Sequence, residues 1–590
     1  MHADAPSTRL RAVDLLMFAA ILVCVALVYL PVGQAQFIWD DKIAFHDAAW
    51  LRHGDDWWQY LRRGFSGWVN YFRPLVVALF TLQVRLFDVA PAPMHYVSLG
   101  LHLLNTLLVG LLALRLYPSP RRGAAAHFAT AAATLLYGLH PALVEPVVWI
   151  SCQYELVVTL FVLLGMHANA RLAQPLLRAA TVGACFFLAA CAKESAVALP
   201  ALLLLQDCAA QGNVSTWRGV GANVWRRQKF VYLGLVLAGI AYLALRHAAL
   251  GYLVSPIGNE SLWSFARLQK IAYTYVAYWR LALWPMAGLS PIHVVDEHWF
   301  QAASPASLAY DIAAATIALS GAYAFYRRHL AGVAILSFSA ALFAVLNIVP
   351  VTFVESVFHE RYLMTALGVI CAWLPAALSG LRWRPLGSAI ALGTVVVWLG
   401  LALLNIRVTL PLWSDELSLW QWALRNDPQS IVAKDHLLTE YMARGDNVRA
   451  RALAGALLAE HAPCPNCILN AAYVALADGD AQRAAVALQG LQQGTALAYD
   501  ARLLHGFILA SGELSELQND PAAAESAYRD AIASDPNDPS PYMRLALLLY
   551  RLGRGTEAQT TAASAVSLYA PDERERQRAI LQQAAAESPH

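Results

Sequence analysis

The chain has 590 residues, of which 58% are hydrophobic and only 14% are charged, and its formal net charge at pH 7 is +2. Soluble proteins carry about 25% charged residues, so this composition places much of the chain in lipid. The small net charge excludes a basic nucleic-acid-binding surface, because the arginines and lysines form short clusters between apolar runs.

The first apolar run, residues 13–31, is predicted to be a membrane span that is kept as an anchor, because no small-residue cleavage site follows it. It delivers two adjacent carboxylates, Asp40 and Asp41, to the membrane surface. Such a pair is a candidate general base for chemistry on a lipid-borne substrate. It could instead cap the helix of the aqueous loop that follows, which ends beside Arg73.

About eleven segments are predicted to span the membrane, since a span needs about 20 apolar residues. They are residues 13–31, 96–117, 124–139, 156–172, 179–192, 196–207, 230–250, 308–326, 331–349, 362–381 and 386–406. Residues 262–285 are also long enough, but basic residues interrupt them and aromatic residues crowd them, so we predict an interfacial helix on the outer face. The basic clusters between spans then fall on one side, which places the N terminus in the cytoplasm and the C-terminal third outside.

Five polar motifs collect on the outer face of this predicted membrane domain. They are Asp40 with Asp41, Arg73, His140 with Glu145, Lys193 with Glu194, and His359 with Glu360 and Arg361. Each motif alone has a structural explanation, such as an ion pair or the end of a loop. Five motifs on one face indicate a site, because ionisable groups are costly in membrane domains and usually mark a function.

The composition changes after the last predicted span, and the chain is expected to form short helical pairs. Residues 425–428 recur in altered form at 533–537, and Ala527 and Ala562 hold equivalent places about one 34-residue repeat apart. The repeats at the two ends are clear, and the middle, around residues 471–514, is degenerate. Such stacks commonly present a concave binding groove, although a purely structural cap on the membrane domain is the alternative.

Cys464 and Cys467 form a Cys-x-x-Cys motif in this outward-facing region. The motif could be a redox pair, half of a zinc site or a local disulfide. No second pair of cysteines or histidines lies near it and no thioredoxin-like strand precedes it, so we predict a local disulfide in an oxidising compartment. No metal site or cofactor is predicted, since no set of residues in the sequence supports a divalent metal ion.

Five motifs follow one another along the chain: WDD at residues 39–41, YFRPL at 71–75, HPALVEPVVWI at 140–150, AKES at 192–195 and ERYL at 360–363. This ordered set resembles the tetratricopeptide-repeat transmembrane O-mannosyltransferases, which belong to the GT-C class of glycosyltransferases. The resemblance covers nearly the whole chain and implies an all-α protein, with a GT-C-type membrane domain at 1–410 and tetratricopeptide-like repeats at 411–590. The alanine-rich, lysine-poor composition suggests a bacterial relative.

The resemblance implies transfer of mannose or a similar monosaccharide from a polyprenyl-phosphate carrier to Ser or Thr hydroxyls of secreted or envelope proteins. It also implies a multi-pass protein of the bacterial inner membrane, in contact with lipids, with periplasmic repeats that bind the acceptor protein. Inverting transfer needs a carboxylate that takes the hydroxyl proton, and fixed cations that stabilise the phosphate leaving group.

The roles follow from these needs. We assign the base to Asp40 or Asp41 and the phosphate-binding cations to Arg73, Lys193 and Arg361. The residues assigned to orient these groups or to hold sugar hydroxyls are His140, Glu145, Glu194, His359 and Glu360. Adjacent side chains on an extended segment point opposite ways, so we expect Asp41 to face the cavity with Trp39, and Asp40 to turn toward the protein.

Two other functions stay open from the sequence. One is a lipid-linked oligosaccharide ligase or polymerase, a transferase with a glycan acceptor or a larger donor. The other is a non-catalytic membrane scaffold whose repeats recruit envelope proteins. The scaffold predicts that substitutions of the two aspartates leave the function intact.

Overall fold

The structure is a computed structural model that describes residues 10–46, 71–117, 123–212, 214–253, 264–348, 356–380, 385–459 and 464–588. Within these residues the only extended pairing is an isolated bridge between Val294 and Ser356, and all other regular elements are helical. The prediction of an all-α protein is confirmed.

The described residues form twenty-five α-helices joined mostly by short turns. They are α1 Ala12–Tyr29, α2 Pro74–Phe87, α3 Pro91–Leu116, α4 Ala124–Gly138, α5 Val144–Val148, α6 Gln153–Arg171, α7 Pro175–Ala192, α8 Leu199–Ala209, α9 Trp217–Leu250, α10 Phe265–Leu283, α11 His298–Gln301, α12 Pro305–Tyr326, α13 Leu330–Leu342, α14 Met364–Leu378, α15 Pro385–Thr409, α16 Glu416–Asn426, α17 Ile431–Ala443, α18 Asn447–Ala459, α19 Pro465–Ala477, α20 Ala481–Gln493, α21 Ala501–Leu517, α22 Pro521–Ser534, α23 Pro539–Arg551, α24 Gly555–Leu568 and α25 Arg574–Ala586. Short 3₁₀ segments cover Leu30–Gln34, Pro141–Leu143, Ile150–Cys152, Glu194–Ala198, Phe343–Val345, Glu360–Leu363, Leu410–Trp413 and Ala496–Ala498, and Lys42–His46 is a π-helical turn.

Eight helical segments of the described chain are long and apolar enough to cross a membrane. They are Ala12–Gln34, Pro91–Leu116, Ile150–Arg171, Pro175–Ala192, Trp217–Leu250, Pro305–Tyr326, Glu360–Leu378 and Pro385–Trp413. A ninth is added if the bent pair Ala124–Gly138 and Pro141–Val148 forms one broken span. These helices indicate a polytopic membrane protein.

By length and composition the described helices support eight or nine spans, fewer than the predicted count of about eleven. The predicted spans at 196–207 and 331–349 correspond to the short helices α8 and α13. Apolar runs of this length more often form buried or re-entrant helices than complete spans, and most residues of α13 face other parts of the protein.

The predicted interfacial segment at 262–285 is the helix α10, which is not among the candidate spans. Its aromatic residues do not all face lipid, because Tyr275, Tyr278 and Trp279 are buried. The ring of Trp279 packs on Phe338 with 4.3 Å between the ring centroids. The aromatic enrichment of this segment therefore reflects packing inside the protein as well as the membrane interface.

A second hydrophobic cluster joins the membrane helices to the helices that follow them. Tyr29 and Trp149 of the membrane region share it with Trp413, Trp420 and Leu437. The chain therefore has no free linker at the predicted domain boundary near residue 410, because α16 and α17 bury apolar side chains against the membrane region.

The helices from α17 to α24 form four helical hairpins, and α25 packs against the last of them. Each hairpin turn contains one residue in the left-handed region: Gly445, Gly479, Asn519 and Gly553, with φ of 70°, 73°, 59° and 74°. Glycine and asparagine adopt this conformation at the lowest cost, so the turn chemistry repeats along the stack. The middle of the stack, degenerate in sequence, is therefore as regular in its turns as the ends.

Candidate active site

The acidic pair lies on a tight turn after α1 and its 3₁₀ extension, not on an extended segment. Trp39 has a φ of 51°, in the left-handed region that bulky side chains rarely adopt. Asp41 is fully buried, and its carboxylate accepts hydrogen bonds from the N–H group of Ser151 at 2.7 Å and from its hydroxyl at 2.6 Å. The N–H group of Ile150 donates a longer one at 3.4 Å. The side chain of Asp40 is exposed.

The orientation of the pair is therefore the reverse of the one expected from the sequence. The expectation that Asp41 faces the cavity was wrong because it assumed an extended segment with alternating side chains. Ser151 lies in the first turn of a helical segment, where N–H groups have no partner within the helix and favour a carboxylate. Asp41 occupies this position, which leaves Asp40 as the carboxylate that water reaches.

The two carboxylates also differ in their electrostatics. Burial raises the pKa of Asp41 to about 8, against the hydrogen bonds from Ser151 that lower it. Asp41 is also buried among these donors, so an acceptor hydroxyl does not reach it. The surrounding protein also raises the pKa of Asp40 by desolvation, while Arg361 and Arg502 lower it. Asp40 is nevertheless exposed to solvent, and a raised pKa suits a carboxylate to accept a proton.

The three predicted cations lie in one row along two tyrosine rings. The guanidinium of Arg73 is 4.6 Å from the ring centroid of Tyr154, and the ammonium of Lys193 is 5.1 Å from the same centroid. Lys193 is also 4.1 Å from the ring centroid of Tyr362, and the guanidinium of Arg361 is 4.8 Å from it. The aromatic faces attract the cations and separate like charges. The structure thus brings together residues that are distant in the sequence.

Each cation of the row also has a carboxylate partner. The pairs are Arg73 with Glu194 at 3.0 Å, Lys193 with Glu155, and Arg361 with Glu145. In the described part of the chain, the buried Nε groups of Arg73 and Arg361 have no hydrogen-bond acceptor. A buried donor without a partner is uncommon, and two of them in one row suit an anionic ligand.

The predicted residues Glu145 and Glu194 therefore hold cations, and Glu155 does so without having been predicted. Glu155 lies in the first turn of α6, one residue before the apolar run that was predicted as a span. In the sequence, the position of Glu155 directly before the predicted span was the signal that could have identified it. A carboxylate at that place needs a cation partner, and Lys193 is that partner.

The other predicted residues contact the loops around the row. His140 uses both ring nitrogens on the backbone, since Nδ1 accepts from the N–H group of Ala142 at 3.3 Å and Nε2 is 3.2 Å from the carbonyl oxygen of Ala282. Glu360 accepts a hydrogen bond from the N–H group of Ser290 at 2.9 Å. The ring centroid of His359 lies 6.4 Å from that of Trp39 in the acidic turn.

Residues of α16, the helix that precedes the hairpins, also reach the acidic turn, and the sequence did not reveal them. The N–H group of Trp39 donates to Oε1 of Glu416 at 2.6 Å. The indole of Trp39 stacks on Trp149 with 4.5 Å between centroids and 6° between planes, and Trp420 meets it edge-on at 4.9 Å. The amphipathic pattern of the helix after the last span was the one signal for these contacts.

Cys464 and Cys467 form the expected disulfide at the start of α19. Asp435 lies close enough to both sulfur atoms for the three residues to be a candidate ligand set for a metal ion. Metal ligation by cysteine requires thiolates, and the disulfide uses both sulfur atoms. These residues therefore do not fit a metal ion in the oxidised protein.

A tetratricopeptide-repeat family model matches residues 517–584, which run from the end of α21 into α25. No match to a curated protein is found. The class that fold and comparison define is thus a helical membrane protein with tetratricopeptide repeats near its C terminus. Such repeats generally bind other proteins.

Proposed function

We propose that the protein is a GT-C-type glycosyltransferase that moves a monosaccharide, mannose or a similar sugar, from a polyprenyl-phosphate carrier to Ser or Thr hydroxyls of other proteins. One observation carries the proposal: an accessible carboxylate, Asp40, stands beside a row of three cations where the membrane helices end. Arg361 links the two, because it belongs to the row and acts electrostatically on Asp40.

The chemistry assigns a separate task to each part of the site. Asp40 takes the proton of the acceptor hydroxyl while its oxygen attacks the anomeric carbon of the sugar. The bond from that carbon to the phosphate oxygen breaks, and its electron pair leaves with the lipid phosphate. Arg73, Lys193 and Arg361 stabilise the charge that develops on the phosphate. Attack opposite the leaving group inverts the anomeric centre.

A lipid-linked donor and a protein acceptor both suit the surroundings of this site. The membrane helices leave many large apolar side chains exposed, for example along α9 and α15, as contact with lipid requires. The repeats lie beside the acidic turn, and Arg502 of α21 acts electrostatically on Asp40. An acceptor protein bound by the repeats is therefore held next to the base.

The proposal places the protein in a bacterial inner membrane with a cytoplasmic N terminus and the repeats in the periplasm. The disulfide between Cys464 and Cys467 supports the periplasmic side for the repeats, since disulfides persist in oxidising compartments. The acidic turn and the row of cations then face the same compartment as the secreted acceptor proteins.

The test uses a strain without the gene, complemented with plasmid-borne variants. Mass spectrometry of envelope proteins measures how fast a single-sugar mass is added after induction. Asp40→Asn keeps the size of the side chain and removes the base, so we expect the rate to fall by about 10²–10⁴-fold. Asp88→Asn is the matched control, because Asp88 is an exposed loop residue with a φ of 55°, which asparagine also adopts readily.

The possible outcomes separate the competing functions. Full activity of Asp40→Asn contradicts the proposal, and full activity combined with dependence on the repeats supports a scaffold. Loss of a larger glycan mass in the deletion strain supports the oligosaccharide ligase or polymerase. A deletion strain without any lost sugar mass removes the transferase from consideration.

A further inference from the structure

Glu416, the first residue of α16, connects the repeat side of the protein to the acidic turn. Its Oε1 accepts the hydrogen bond from the N–H group of Trp39 at 2.6 Å, and its Oε2 accepts one from the indole N–H group of Trp420. The side chain is buried, with 7% of the residue exposed. Both oxygens of this carboxylate are thus used, one on each side of the junction.

The contact with Glu416 acts on the residue whose backbone is most unusual. The left-handed conformation of Trp39 is costly for a bulky side chain and persists only where the surroundings enforce it. Two contacts enforce it here: the hydrogen bond to Glu416 fixes the peptide, and the stacking on Trp149 fixes the indole.

The conformation of Trp39 decides where the two aspartates point. The turn closes with a hydrogen bond from the N–H group of Asp41 to the carbonyl oxygen of Ile38 at 2.9 Å. In this geometry Asp41 reaches Ser151, and Asp40 stays exposed. A right-handed residue at position 39 would redirect the chain that follows and move Asp40 away from its present place.

We propose that Glu416 is a positioning residue, which holds Trp39 in the left-handed conformation and thereby aims Asp40 into the active site. The inference rests on the proposed function of Asp40 as the base. Glu416 touches neither substrate nor reacting atoms in this account. It acts through the backbone of the acidic turn.

Glu440 supplies a matched control for the charge at this junction. Lys42 lies between the two carboxylates, 3.8 Å from Glu416 and 3.2 Å from Glu440. Both acidic residues thus neutralise the same lysine, whereas it is Glu416 that accepts the hydrogen bond from the N–H group of Trp39. An effect of Glu416→Ala that Glu440→Ala does not share therefore comes from the hydrogen bonds to Trp39 and Trp420 and not from the charge on Lys42.

The experiment measures sugar addition in the complemented deletion strain, with the amount of membrane-inserted protein determined by immunoblot. We expect Glu416→Ala to slow transfer on the order of 10²-fold, the loss that a small misplacement of a catalytic group produces. Glu440→Ala should change the rate by less than about fivefold, since an ion pair with a partly exposed lysine contributes little. Glu416→Gln keeps an acceptor oxygen for Trp39 and should transfer faster than Glu416→Ala.

The double variant Asp40→Asn/Glu416→Ala separates positioning from general damage. If Glu416 acts through Asp40, the double variant is as slow as Asp40→Asn alone. The inference is overturned if Glu416→Ala slows the Asp40→Asn variant by the same factor as it slows the wild type. It is also overturned if Glu416→Ala and Glu440→Ala transfer sugar at the same rate. Equal rates of the folded Gln and Ala variants also overturn it. Full activity of Asp40→Asn instead contradicts the proposed function.

Discussion

Replacing Asp41 by asparagine is expected to destabilise the protein, whereas the same change at Asp40 is not. The carboxylate of Asp41 is fully buried and serves four donors: the N–H and hydroxyl groups of Ser151, and the N–H groups of Ile150 and Ile38. Asparagine offers one oxygen, which can keep Ser151. Its amide nitrogen then faces two N–H groups and accepts from neither.

The size of the effect follows from these contacts. Leaving a buried donor without an acceptor costs about 1–3 kcal/mol, and the hydrogen bonds from Ile150 and Ile38 are long, at 3.4 and 3.5 Å. We therefore expect Asp41→Asn to reduce the free energy of unfolding by about 1–3 kcal/mol. Asp40→Asn changes an exposed side chain and should stay within about 0.5 kcal/mol of the wild type.

The difference between the wild type and Asp41→Asn should also depend on pH. Burial raises the pKa of Asp41 from 3.8 to about 8 on folding. Because the folded-state value is the higher one, the stabilisation is complete below the unfolded-state value and is lost as the pH rises through about 8. Asparagine does not titrate, so the advantage of the wild type over the variant should be larger at about pH 5 than at about pH 8.

The native thiols provide the assay. Cys152, Cys185, Cys191 and Cys371 are buried and free, so a thiol-reactive dye reports the temperature at which the purified protein opens. The expected result is a lower opening temperature for Asp41→Asn, with a larger gap at acidic pH, and no change for Asp40→Asn. A lower temperature for Asp40→Asn alone would refute the assignment of the two side chains.

Three further predictions concern the cations and the repeats. Arg73→Lys and Arg361→Lys keep the charge but lose the planar fork, so sugar addition should slow by about 10- to 100-fold in the mass-spectrometric assay, and wild-type rates would exclude phosphate contacts by the guanidinium groups. The hydrogen bond from His505 to Asp538, at 2.8 Å, raises the pKa of His505, so its stabilisation of the repeats should be present below about pH 6.5 and lost as the pH rises through the folded-state value. Thermal circular dichroism of the full chain should show that loss in the wild type but not in His505→Gln. Removal of residues 464–590 should abolish sugar addition to protein and spare binding of polyprenyl phosphate in native mass spectrometry, while loss of both in a folded protein would contradict a separate acceptor platform.

Hydrophobicity alone was enough to predict the helical membrane region. A run of about 20 apolar residues fits the thickness of a bilayer, and a helix is the structure in which such a run satisfies its own backbone hydrogen bonds. The number of spans was harder to obtain. The helices α8 and α13 are apolar because they pack against other helices, and a composition window does not distinguish protein contact from lipid contact. The regular turns of the repeats have a sequence signal in Gly445, Gly479 and Gly553. These glycines become recognisable as a repeat only when each is read as the left-handed residue of a helical turn.

The row of cations could be predicted by residue type, and the orientation of the acidic pair could not. Arg73, Lys193 and Arg361 are charged residues beside apolar runs, which is a local property of the sequence. The direction of Asp40 depends instead on the conformation of Trp39. That conformation depends on a hydrogen bond to Glu416, a residue 377 positions away. No local pattern around residues 39–41 contains this information.

The same long-range contact bears on how the proposed transferase brings together two substrates that arrive from different sides. In the proposed reaction the lipid donor approaches the row of cations from the membrane helices, and the protein acceptor approaches the site from the repeats. The acidic turn belongs to the cluster that both regions bury, through Trp39, Trp149 and Trp420. A base at this shared cluster lies close to both regions, and this is the physical reason to expect that Asp40, and not a residue deeper in the membrane helices, takes the proton of the acceptor.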